Sequence, residues 1–94
     1  MATKNLYEVK NLLEEARLCE NTAKAAFAKR TKENMSMGNL CIGRAIRLEN
    51  QAENLYADIV GVHLHHKELY DLFGITGGET LWLLYLKTHL LHQQ

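Results

Sequence analysis

The sequence predicts an all-α fold: a long antiparallel helical hairpin and a third, C-terminal apolar helix, completed as a helical bundle by homo-oligomerisation. Three observations predict it. The 94 residues include no proline and only six glycines, so few positions stop a helix. Apolar residues recur at alternating steps of three and four over most of the chain, which keeps one stripe of each helix facing a partner. No segment alternates with the period of a strand between turn pairs. A chain of this length holds one domain, spanning residues 1–94.

The first helix is expected over about 3–32. Val9, Leu12, Ala16, Cys19, Ala23 and Ala26 form its stripe, which Leu6, Leu13 and Phe27 widen. The break that follows is placed at Asn34–Asn39, where Asn, Ser and Gly cluster, with Ser36 as the N-cap of the next helix. That second helix is expected over 37–73, because Cys41, Ala45, Leu48, Ala52, Leu55, Ile59, Val62, His66, Leu69 and Phe73 keep the stepping without a slip. His66 is the one polar residue in this series, and a lone polar residue in a seam commonly fixes register or oligomer state. A turn near Ser36 sets Ala26 opposite Ala45 and Cys19 opposite Ala52.

The third helix is expected over 77–92. Thr76 and Glu79 have the spacing of a capping box ahead of it. Its residues Leu81 to Leu86, with Leu90 and Leu91, are apolar on nearly every side, more than a single hairpin covers. Trp82, Leu83, Leu86 and Leu90 are therefore expected at a subunit interface.

Composition narrows the function classes. With 47% hydrophobic and 23% charged residues the chain is too apolar for disorder, and its zero net charge gives no global pull toward nucleic acid or acidic lipid. Two cysteines, Cys19 and Cys41, make neither a disulfide scaffold nor a metal-type pair, so a reduced, cytoplasmic setting is expected. The N-terminus lacks the basic-then-apolar pattern of a leader, and the longest apolar run, Leu81–Leu86, is far below the roughly 20 residues of a membrane span. No membrane partner and no cofactor are expected. Neither cysteine has an evident base beside it, and Gly74-Ile-Thr-Gly-Gly lacks the lysine of a phosphate loop, so no enzyme is expected.

The main functional expectation is a non-enzymatic, homo-oligomeric helical interaction module, such as a small regulator or a mobile-element accessory protein, whose partner is itself or another protein. Charge is segregated along the chain. Lys24, Lys29, Arg30, Lys32, Arg44 and Arg47 face only Glu33 between residues 24 and 48, whereas Glu49, Glu53, Asp58, Glu68, Asp71 and Glu79 face only Lys67 further on. Lys29, Arg30, Lys32, Arg44 and Arg47 are thus candidate contacts to an anion, with a nucleic acid or nucleotide as the alternative partner. A second alternative is a metal site. His63 with His66 and His89 with His92 are each one helical turn apart, and a third helix folding back brings His63 beside His89.

Overall fold

The computed structural model describes residues 5–75. These are all-helical, with no strand among the described residues: α1 spans Leu6–Ala28, α2 spans Lys32–Val60 and α3 spans His66–Leu72. The segment 77–92, and with it Trp82, Leu83, Leu86, Leu90, His89 and His92, lies outside the described residues.

Helix α1 begins where the Asn5 side chain accepts the Glu8 N–H at 3.0 Å, satisfying one of the four free donors of a helix start. It stops at Ala28. Lys29 is its C-cap, and Arg30 follows in the left-handed region at φ 55°. Thr31 then caps α2, its Oγ1 accepting the Asn34 N–H at 3.2 Å and the Asn34 side-chain amide at 2.6 Å. The hairpin turn is therefore at 29–31, and the break expected at Asn34–Asn39 is corrected: those residues are the first turns of α2. Asn, Ser and Gly cost a helix only about 1 kcal/mol or less each, whereas the Thr31 cap and the αL residue Arg30 end the preceding helix locally.

The uninterrupted second helix expected over 37–73 is corrected as well. It ends at Val60, with Gly61 at φ 81° as its αL cap and the Gly61 N–H bonded to the Ala57 carbonyl at 2.8 Å. Such a residue turns the chain out of the helix at no steric cost only when it is glycine. Residues 61–65 reverse the chain, and α3 runs back along α2: His66 meets Glu53 and Tyr70 meets Glu49, so each four-residue step forward on α3 is a four-residue step backward on α2.

The first two helices pack together along most of their length. The buried residues of α1 are Val9, Leu13, Ala16, Glu20, Ala23, Ala26 and Phe27; those of α2 are Met35, Gly38, Ile42, Ala45, Leu48, Glu49, Ala52 and Tyr56. Cys19 and Leu12, expected at the centre of the seam, sit on its flank, and Arg44 bonds Glu15 at 2.7 Å, which sets the level of the two helices. The register expected from a turn near Ser36 thus moves with the turn. Near the tip, Phe27, Met35 and Ile42 fill the core; at the other end Val9, Leu13, Ala52 and Tyr56 join Leu69 and Tyr70 of α3. Leu13, Leu69 and Val9 are fully buried, and each such aliphatic side chain contributes about 1.5–3 kcal/mol by leaving water.

Candidate functional site

Two carboxylates occupy seam positions that are otherwise apolar: Glu20 is 2% exposed and Glu49 3% exposed. Ionised groups at such depth need partners, and the three helices supply them. Arg17, one turn before Glu20 on α1, reaches it with Nη1 at 3.2 Å, and Lys24, one turn after, lies 3.9 Å from its other oxygen. On α2, Glu49 accepts a 2.8 Å hydrogen bond from the Tyr70 hydroxyl. The Arg17 guanidinium lies 4.6 Å from the centre of the Tyr70 ring, joining the two halves by a cation–π contact.

Burial raises the Glu49 carboxyl above the usual carboxylate range, against the Tyr70 hydrogen bond, His66 and Arg17, which favour its charged form. Tyr70 is likewise pushed up, first by burial and then by the charge of Glu49 and their hydrogen bond, so it remains a proton donor. No exchange of that proton is available near neutral pH. The Tyr70 hydroxyl is therefore a fixed donor that orients the Glu49 carboxyl.

At the open edge of the α2–α3 junction stand Glu53, His65 and His66. His65 caps α3, its Nδ1 accepting the Lys67 N–H at 3.2 Å while its own N–H donates to Glu68 Oε1 at 3.3 Å. Glu53 Oε2 accepts the His66 backbone N–H at 2.9 Å and lies 2.8 Å from His66 Nδ1. The other nitrogen, Nε2, faces Glu49 Oε1 at 3.9 Å.

A second feature is a set of half-buried apolar residues beside the seam. There Leu12 and Cys19 of α1 and Cys41, Leu55 and Ile59 of α2 are half-buried against the core, and the exposed Glu15–Arg44 pair bridges the helices. The Cys19 thiol is raised by burial, with Arg44 lowering it by less, so it is a poor nucleophile. Large apolar side chains stand free elsewhere on α2, among them Met37 and Leu40, the latter 75% exposed.

The residues expected at an anion site are spread apart. Lys29, Arg30 and Lys32 are exposed at the tip, but Arg44 and Arg47 lie 12 or more residues along α2, roughly 18 Å away at 1.5 Å per residue, and Arg44 is engaged by Glu15. Of the expected metal histidines, His66 belongs to the junction and His63 is exposed in the link before α3. Glu20, Glu49, Glu53, His65 and Tyr70 were missed. The signal for the first two was present: with Glu20 and Glu49 admitted, the steps Val9, Leu13, Ala16, Glu20, Ala23, Phe27 and Met35, Gly38, Ile42, Ala45, Glu49, Ala52, Tyr56 are as regular as those built from apolar residues alone. No protein-family model, curated protein or solved structure matches this chain.

Proposed function

We propose that this protein is a non-enzymatic helical binding module that self-associates through the half-buried apolar residues beside the hairpin seam, with a second copy of the chain as the occupant. The observation that carries this reading is that apolar residues of both helices, Leu12, Cys19, Cys41, Leu55 and Ile59, remain only half-buried against the core. Two further properties favour a second copy. The sequence also holds the apolar run Leu81–Leu86, with Leu90 and Leu91 beyond it, and so much apolar side chain favours burial against a partner. The basic residues from 24 to 48 and the acidic residues from 49 to 79 occupy different parts of the chain, so an antiparallel pair sets unlike charges together.

The nucleic-acid or nucleotide reading draws less support, because its five basic residues do not converge. Among the described residues no helix is long and apolar enough to cross a membrane.

Native mass spectrometry on untagged protein tests the proposal. The expected wild-type mass is an integer multiple, two or more, of 10.8 kDa. Leu55→Lys and the pair Leu83→Lys with Leu86→Lys are expected to yield monomers whose helical content matches the wild type. A monomeric wild type overturns self-association; a nucleotide-sized adduct that Arg30→Ala removes favours the anion reading.

A further inference from the structure

We propose that Glu53, His65 and His66 form a site for one divalent transition-metal ion of the zinc class, which clamps the start of α3 to α2. Each residue presents one ligand atom, and the three atoms all lie within 4.8 Å of one another. Two imidazoles and a carboxylate are a donor set suited to Zn²⁺, Co²⁺ or Ni²⁺, whereas Ca²⁺ and Mg²⁺ prefer oxygen throughout.

The geometry of the closest pair is compatible with a shared ion. His66 Nδ1 and Glu53 Oε2 are 2.8 Å apart. An ion with bonds of about 2.1 Å views two donors at that spacing nearly at a right angle, and a widening of about 0.6 Å makes the angle tetrahedral. His65 supplies the third donor. Its Nδ1 is occupied by the Lys67 N–H, which leaves Nε2 for the ion, and its exposure leaves the ring room to turn inward. The two imidazoles are already close, with centroids 3.9 Å apart and planes tilted by 35°.

A second, independent observation comes from the far side of His66. Ligation through Nδ1 places the ring proton on Nε2, and Nε2 faces the buried Glu49 Oε1 at 3.9 Å. A carboxylate that accepts from the second nitrogen of a ligating histidine is the usual outer partner of zinc histidines, and Glu49 takes that place once the pair closes by about 0.9 Å to hydrogen-bond distance. Glu49 is itself held by Tyr70, so the outer partner is anchored in the core. Glu49, Glu53 and Glu68 together give the site a negative surround that outweighs the weak positive end of a seven-residue helix.

This site uses the α2–α3 junction and does not depend on self-association. It also differs from the histidine pairing expected from spacing, because His63 contributes no ligand atom to it.

The test is a titration of the untagged full chain with Zn²⁺ by calorimetry and with Co²⁺ by visible absorption. One Zn²⁺ per chain is expected, with a rise of several degrees in Tm and a Co²⁺ d–d band. His65→Ala and Glu53→Gln are each expected to weaken binding at least tenfold and to remove the band, while His63→Ala and the pair His89→Ala with His92→Ala stay within twofold of the wild type. Circular dichroism checks that the variants remain helical; should Glu53→Gln lose helix, the exposed His65 variant decides. Absence of stoichiometric metal, or a loss that follows His63, His89 or His92 and spares His65, overturns the proposal.

Discussion

The Phe27 ring lies directly across Gly38, so close that a β-carbon at residue 38 would overlap the ring at three of its atoms. The nearness of α1 and α2 at the tip depends on this missing side chain. Gly38→Ala is expected to lose about 1–3 kcal/mol by overpacking, although alanine is the better helix former by about 1 kcal/mol. Gly43→Ala is the control. The nearest atom to its β-carbon is Arg47 Nη1 at 3.7 Å, an ordinary contact, so this variant is expected to gain up to about 1 kcal/mol. Urea unfolding of the two variants checks both signs.

The tip carries strain of a different kind. Arg30 is the one described non-glycine residue with positive φ, at 55°. Arg30→Gly removes that penalty and is expected to stabilise the hairpin by about 1 kcal/mol, measured as a raised midpoint in the same unfolding experiment. A drop in midpoint would show that the Arg30 side chain contributes more than its backbone conformation costs.

Gly61 separates α2 from α3. Its φ of 81° is open to glycine and meets no neighbouring side chain, so Gly61→Ala is expected to cost about 1 kcal/mol through backbone strain alone. Asn tolerates this region better, and Gly61→Asn is expected to lie between the two. Hydrogen exchange at Leu69 and Tyr70 is the measurement, because α3 is the element released when the reversal is disfavoured.

The Glu49–Tyr70 pair sets a pH dependence. Burial raises the folded-state pKa of Glu49 above its unfolded value, so the folded chain binds this proton more tightly. The resulting stability is fully present below the unfolded pKa and is lost as pH rises through the raised folded value. In buffer with a chelator, Glu49→Gln is expected to flatten this descent, since the amide oxygen still accepts from Tyr70 without burying a charge. Tyr70→Phe leaves the carboxylate one donor short and is expected to cost about 1–3 kcal/mol at neutral pH. Thermal melts from pH 4 to 8 check both, and a slope unchanged by Glu49→Gln would contradict the assignment.

Much of the helical architecture was legible in the residues, because three-and-four stepping and the lack of proline are strong local signals. Boundaries were less so. Gly38 resembles a breaker in the sequence but is a packing glycine whose reason, Phe27, lies across the hairpin. Gly61 resembles a tolerated helical glycine, since Val62, His66, Leu69 and Phe73 continue the period beyond it; only the chain reversal, a tertiary event, separates the two cases. His66 was legible as a polar residue with a role, but its partner Glu53 lies on the preceding helix, and periodicity within one continuous helix cannot bring them face to face.

Small side chains meet along much of this hairpin, with Ala16 and Ala23 on one helix and Ala45 and Ala52 on the other. Alanine offers little to distinguish one alignment from another, and a slide by a helical turn exchanges one smooth patch for a similar one. Contacts that cross between the helices lift that degeneracy. A slip by one turn carries a residue with a β-carbon under the Phe27 ring, where Gly38 leaves room for it, parts Arg44 from Glu15 and draws Arg17 off the Tyr70 ring. These few pieces each fit at one level only, so a seam of low side-chain information still selects one pairing.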